Sequence, residues 1–236
     1  MSKTFVLVHG AWHGGWCWRR VADLLEAKGH KVFAPTLTGL GERSHLMRAG
    51  INVSTHVTDI VNVLKWERLT DVVLCGHSYG GFVISGVAEQ AADRIGSIVF
   101  LDAFVPLNGE SMASITSQAV RDSLKAASER GEISVPPRPA KAFLVNDADQ
   151  DWVDSLTGPQ PIETMTEQVR IAGARDRIAK KSYIRAGAYP NPGFDAALAR
   201  LKTKTDKAWR TYDVPCGHDV MVDMPERLAE ILLEVS

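Results

Sequence analysis

Val73-Leu74-Cys75-Gly76-His77-Ser78-Tyr79-Gly80-Gly81-Phe82 joins an apolar strand to a helix through a turn with serine at its apex. Gly76, Ser78 and Gly80 form the pattern G-x-S-x-G in the strand–turn–helix setting that this pattern requires. The spacing has a steric cause. A serine on so tight a turn takes a strained backbone conformation, and the residues two positions to either side must lack Cβ so that helix and strand can approach. The turn presents Ser78 Oγ as a nucleophile and aims the Tyr79 N–H, at the helix start, toward a developing oxyanion. Phosphate binding by the helix N-terminus is the competing reading. It lacks both a G-K-[ST] sequence and a downstream ribose-binding acid.

Outward from the turn, strand and helix signals alternate. Residues 4–9 form a continuous apolar strand, 16–28 a helix stopped by Gly29, and 32–35 a second strand. Val57, Ile60, Val61 and Leu64 mark an amphipathic helix. Residues 71–76 are a third strand, 79–92 a helix and 97–101 a fourth strand. The alternation stops from about 106 to 179, where helical stretches and the Pro-rich Val135-Pro136-Pro137-Arg138-Pro139 show no clear buried strand. It resumes with a strand at 181–185, a helix at 194–201, a strand at 208–214 and a closing helix near Pro225, with Leu228, Ile231, Leu232 and Val235 on one face. The pattern predicts an α/β protein with a doubly wound, mostly parallel sheet of about six strands. Its core would be residues 1–105 and 180–236, with a helical cap inserted at 106–179.

The composition is that of a soluble globular protein, at 45% hydrophobic and 23% charged residues. A net charge of −1 gives no bias toward nucleic acid or an anionic membrane, and no basic run supplies one. The chain runs from Met1-Ser2-Lys3 straight into a short apolar strand, without the shape of a signal peptide. No apolar stretch approaches a membrane span. Cys17, Cys75 and Cys216 are widely spaced with no C-x-x-C pair, which suits free thiols in a reducing compartment. The expectation is a cytoplasmic protein with no metal site, no nucleic-acid or membrane partner, and homodimerisation left open.

A serine nucleophile needs a base, and the base needs an orienting acid. Where the elbow opens a doubly wound sheet, the chain order is Ser, acid, His. Six histidines precede Ser78, and only His218 follows it. It lies in Pro215-Cys216-Gly217-His218-Asp219, between the last strand and the final helix, where a base can lean over the elbow. The turn after the late strand, Ala186-Gly187-Ala188-Tyr189-Pro190-Asn191-Pro192-Gly193-Phe194-Asp195, holds no carboxylate before Asp195, which belongs to the following helix. Asp102 closes the apolar Val99-Phe100-Leu101 run one strand over from the elbow, a costly place for a carboxylate unless it is paired. Asp102 is the first candidate for the acid and Asp195 the second.

The loop His9-Gly10-Ala11-Trp12-His13-Gly14-Gly15-Trp16 follows the first strand, where the second oxyanion donor normally sits. Ala11 is the candidate donor beside Tyr79, and His9 and His13 read as residues that orient the loop. Over residues 5–18, at Gly76-His77-Ser78-Tyr79-Gly80-Gly81 and at Gly217-His218, the chain resembles the plant methylesterase and hydroxynitrile lyase group and its bacterial esterase relatives, pyrethroid-hydrolase-like enzymes included. The resemblance covers most of 4–104 and the region from about 180 onward, and is loose across the cap. It implies an α/β-hydrolase fold with a helical cap over a mostly apolar pocket and no cofactor. It implies Ser78 as nucleophile, His218 as base, and the N–H groups of Ala11 and Tyr79 as the oxyanion hole. The expected activity is hydrolysis of a small or medium, largely apolar carboxylic ester.

Two departures from the group bear on function. The cyanide-releasing lyases carry a threonine where Gly10 stands and a lysine where Asp219 stands, so the cation that would hold cyanide is missing. The acid after the late strand is also missing, and relatives with the acid after the earlier strand allow Asp102 that role. A lyase, a cofactor-free dioxygenase and a non-catalytic ligand receptor remain as alternatives on the same fold. Trp12 and Trp152 are candidate substrate contacts, with Met112, Ile115 and Phe143 as further lining residues. Arg43 and His45 read as anchors of the loop after the second strand or as rim contacts.

Overall fold

A computed structural model of the chain describes residues 2–203 and 209–236. Strands β1 (Thr4–Val8), β2 (Lys31–Phe33), β3 (Val72–His77) and β4 (Ile95–Leu101) are followed by a short antiparallel pair, β5 (Ser134–Val135) and β6 (Gln160–Pro161), and then by β7 (Lys180–Ala186) and β8 (Trp209–Val214). Six of them form one sheet in the order β2-β1-β3-β4-β7-β8, parallel throughout. The helices are α1 (Arg19–Glu26), α2 (Val53–Trp66), α3 (Gly80–Ala91), α4 (Gln118–Glu129), α5 (Gln150–Leu156), α6 (Glu163–Thr166), α7 (Pro192–Thr203), α8 (Val220–Asp223) and α9 (Pro225–Glu234).

The inner strands β1, β3 and β4 read as largely apolar runs because both faces of the sheet are covered there. Val6, Val8, Ile98 and Phe100 pack on one side against Ile60, Leu64, Phe82 and Val87 of α2 and α3. Phe5, Leu7, Val99 and Leu101 point the other way, against Val21 and Leu25 of α1 and Leu228, Ile231 and Leu232 of α9. Helix α2 starts where Asn52 caps it: Asn52 Oδ1 accepts the Thr55 N–H at 3.0 Å.

The expected doubly wound six-stranded sheet is present, with differences at the element ends. Residues 15–18 form a 3₁₀ turn, so α1 begins only at Arg19. The cause is a loop that keeps close to β2, where the Gly15 N–H donates to Thr36 Oγ1 at 2.7 Å. The fourth strand starts earlier than expected, at Ile95. Residue 208, the expected start of the last strand, lies outside the described residues. The stretch 106–179, expected to hold no clear buried strand, contains the β5–β6 pair, whose two-residue strands are too short to leave a periodic signal.

Helix α3 descends from the elbow against the chain leaving β4. A Cβ added at Gly81 would lie 1.9 Å from the Phe104 carbonyl oxygen, so only a bare Cα lets helix and strand exit touch. Gly81→Ala should therefore lower stability by about 1–3 kcal/mol in urea unfolding through forced overpacking. An unchanged midpoint would contradict this contact.

Candidate active site

Ser78 sits at φ +53, in the left-handed region, between the end of β3 and the start of α3. For a residue with a side chain this conformation costs about 1–2 kcal/mol. Surrounding hydrogen bonds hold it there. The Ser78 N–H donates to the Leu101 carbonyl at 3.2 Å, and the Ser78 carbonyl accepts from Gly81 at 3.1 Å and Phe104 at 3.2 Å. Asp102 (φ +41) and Trp12 (φ +66) are left-handed too. Three neighbouring loops are thus bent away from ordinary geometry at the ends of β1, β3 and β4, as strained functional loops commonly are.

His218 and Asp102 meet across the sheet end. His218 Nδ1 donates to Asp102 Oδ2 at 2.6 Å. Asp102 is fully buried, and its other oxygen accepts from Arg185 Nη1 at 2.7 Å and the Ala186 N–H at 3.1 Å. These donors give the buried carboxyl the hydrogen bonds that it has lost from water. The His218 ring stacks on Tyr189 (4.7 Å between centroids, 26°) and Phe194 (5.5 Å, 20°), and the main-chain N–H of His218 donates to the Phe143 carbonyl at 2.8 Å. Nδ1 is committed to Asp102, and Nε2 has no hydrogen-bond partner among the described residues. Asp195 takes another position: 62% exposed, it accepts from Arg185 Nε at 2.9 Å.

The loop after β1 lies against the elbow. A Cβ on Gly10 would fall 2.9 Å from Ser78 Cβ. The Trp12 N–H donates to Gln160 Oε1 at 2.9 Å and the Trp12 carbonyl accepts from Gly158 at 2.9 Å. Ala11 and Tyr79 are buried, and the main-chain N–H of neither donates to an acceptor among the described residues. His9 is structural, as the loop reading expects. Its Nδ1 donates to the Gly10 carbonyl at 2.8 Å and its Nε2 accepts the Leu37 N–H at 3.0 Å. Burial pulls it down to about 3, which keeps it a neutral donor–acceptor.

Trp12 also forms part of the wall of a cleft of about 620 Å³, with Met112, Val120, Leu124, Val135 and Met165, rimmed by Arg130, Glu132 and Arg138. Trp152 does not line this cleft. It packs edge-on to Trp16 at 5.3 Å, with the Arg20 guanidinium over its ring at 4.9 Å. Phe143 stands between Trp12 (5.9 Å) and His218 (5.5 Å), and Ile115 lines a separate depression beside Phe104. Arg43 anchors its own loop by donating to the Thr36 carbonyl at 2.8 Å, and His45 is exposed.

Three features of the site left little mark in the sequence. Arg185, which holds both Asp102 and Asp195, shows only as one of three cationic residues in a strand of mixed polarity. Gln160 shows no signal at all. Asp219 is fully buried and pairs with His13 at 3.0 Å. Ligand atoms of His77, His218 and Asp219 lie within 4.8 Å of one another. A cation there would take the His218 nitrogen that a base must keep, and His77 Nε2 already serves the His218 carbonyl at 3.0 Å. The arrangement fits proton transfer better than metal ligation.

The chain belongs to the alpha/beta hydrolase family, whose model matches residues 5–231. It is 40% identical to a carbendazim hydrolyzing esterase from Nocardioides sp. (strain SG-4G), over 97% of this chain and 98% of that one. It is also 40% identical to methylesterase 1 of Arabidopsis thaliana, over 44% of this chain and 41% of that one. Among solved structures it resembles an extracellular α/β-hydrolase from a Paenibacillus species, described as sharing structural and functional homology with tobacco salicylic acid binding protein 2. That match has a TM-score of 0.84 and 25% identity, and covers 99% of both chains. The kinship with plant methylesterases and bacterial esterases expected from the sequence is thereby met.

If Ser78 is strained as its φ indicates, Ser78→Gly should be more stable than Ser78→Ala by about 1 kcal/mol, since only glycine takes that conformation freely. Parallel urea titrations of the two variants decide it, and equal stabilities would mean the elbow stores no strain.

Proposed function

We propose that the protein is a serine hydrolase that cleaves small or medium, largely apolar carboxylic esters through an acyl-enzyme on Ser78. The observation that carries this reading is the buried 2.6 Å His218–Asp102 hydrogen bond beside the left-handed Ser78. His218 Nε2 takes the Ser78 Oγ proton as Oγ attacks the ester carbonyl carbon. The oxyanion accepts from the Ala11 and Tyr79 N–H groups, and Asp102 stabilises the imidazolium. That imidazolium protonates the departing alcohol oxygen. Water, deprotonated in turn by His218, attacks the acyl carbon; as the acyl C–Oγ bond breaks, the imidazolium returns that proton to Ser78 Oγ and a carboxylic acid leaves.

The full-length esterase relative and the partly matching methylesterases support ester cleavage over the lyase, dioxygenase and receptor readings. Gly10 and Asp219 argue further against a lyase, because the position directly after His218 carries a buried carboxylate committed to His13 where the cyanide-releasing lyases carry the lysine that would hold cyanide. Residues 106–179 are read as a cap that shapes the acyl or alcohol site, with the cleft beside Trp12 as that site. Trp152 contributes packing to this scheme. Among the described residues no helix is long and apolar enough to cross a membrane. The three buried free cysteines favour a reducing, cytoplasmic location.

Turnover of p-nitrophenyl acyl esters, methyl esters and carbendazim by the wild type and three variants tests the scheme. Ser78→Ala should abolish turnover with an unchanged melting profile. Asp102→Asn should lower kcat on the order of 10³–10⁴-fold by misorienting the imidazole. Asp195→Asn should change it little. Turnover retained without Ser78, or comparable small losses at both aspartates, would overturn the assignment.

A further inference from the structure

A buried pair outside the triad joins the Ala11 loop to the His218 loop. His13 Nδ1 lies 2.8 Å from the Ala11 carbonyl oxygen, and Nε2 lies 3.0 Å from Asp219 Oδ2. Both partners are acceptors, so each ring nitrogen must donate, and an imidazole with two N–H bonds is a cation. The setting suits that charge. The Trp16 indole stacks on the ring at 5.3 Å and 22°, giving the imidazolium an aromatic face. The two partners are 2% and 0% exposed, so the attraction is poorly screened by solvent. Desolvation pulls His13 down, but the charge and hydrogen bond of Asp219 and the Ala11 carbonyl outweigh it and leave His13 raised above 6.5. Asp219 is pushed up by the same burial, yet His13 brings it well below the ordinary carboxylate range.

Asp219 directly follows His218, and Ala11 is the oxyanion donor of the proposed mechanism. We propose that His13 is a permanently charged imidazolium whose ion pair with Asp219 clamps the oxyanion loop to the base-bearing loop. In doing so it neutralises the one carboxylate placed next to His218 in the chain. His13 and Asp219 are positioning residues. One fixes the Ala11 peptide, and their mutual neutralisation leaves Asp102 to set the charge that His218 feels. The kinetic side of this proposal rests on the ester-hydrolase reading, whereas the protonation of His13 does not.

The other titratable groups that face the pair are silent or constant over the working range. Burial pushes Cys17 up, takes Cys216 to about 12 and raises Tyr189, so all three stay protonated. His9, at about 3, and His77, well below 6.5, stay neutral. Asp223 on α8 and the Asp102–Arg185 pair beyond His218 are the same in every variant used below.

The sign follows from the charges. Without the His13 cation, the Asp219 charge favours a protonated His218, so the acid limb of kcat/KM moves to higher pH. In His13→Gln that limb should rise by about one pH unit, and kcat/KM on the plateau should fall about 10-fold or more as the Ala11 peptide loosens. Adding Asp219→Asn to His13→Gln should erase the limb shift without restoring the plateau. An unchanged plateau in His13→Gln, or a limb shift that persists in the double variant, would overturn the positioning role, whereas a lowered plateau without a limb shift means that Asp219 takes up a proton once its His13 partner is gone, as the pairing requires. Should His13→Gln fail to fold, the wild type alone decides the charge. Nitrogen-15 histidine spectra near pH 7.5 should contain a buried imidazolium with both nitrogens protonated, assignable to His13 by its coupling to the Ala11 carbonyl. A spectrum with His13 neutral there would sink the clamp even if Ser78→Ala behaves as expected.

Discussion

The hydrogen bond between His218 and Asp102 makes the greatest demand on the rest of the molecule, because it requires a carboxylate with no solvent exposure at the end of an apolar strand. An ionised group in that position is costly unless several donors surround it. The fold supplies them from the next strand, with the Arg185 guanidinium and the Ala186 N–H on Oδ1, leaving Oδ2 for His218. The order β4-β7-β8 follows the same logic. β4 leads to Asp102, β7 supplies the counter-charge and main-chain donor, and β8 leads into the loop that carries His218. The left-handed turn at Asp102 lets its side chain aim across the sheet end.

Strain and satisfaction are divided between neighbouring loops. Ser78, Asp102 and Trp12 take left-handed conformations that local sequence does not favour, and each is over-determined by its surroundings. For Trp12 the restraint comes from residues 158 and 160, far along the chain. For His218 it comes from the Phe143 carbonyl. The segment between β4 and β7 therefore holds main-chain groups of the Trp12 and His218 loops as well as walling the cleft. Changes in that segment would also be felt at the loop after β1.

Much of this was legible in the sequence for identifiable reasons. Strands buried on both faces show as apolar runs, and the elbow glycines leave a spaced pattern, so the sheet, Ser78 and the helices around it could be read directly. His218 followed by exclusion, as the one histidine downstream. Asp102 was legible as an anomaly, a carboxylate closing an apolar strand. What stayed hidden depends on contacts between distant segments. Arg185 looks like any charge in a strand until the sheet order puts it beside Asp102. Asp219 resembles an exposed loop residue, yet His13, 206 positions away, takes it out of solvent. Trp152 invited a substrate role by its size, but its aromatic surface is spent on Trp16 and Arg20.

The account stands on a nucleophilic Ser78 activated by His218. Labelling with a fluorophosphonate, followed by peptide mass mapping, tests this most directly because the reagent reports an activated hydroxyl whatever the natural ester. The account predicts one phosphonyl group per chain, carried by the peptide containing Ser78 and lost in His218→Ala. Labelling at another residue, or undiminished labelling of Ser78 without His218, would contradict it.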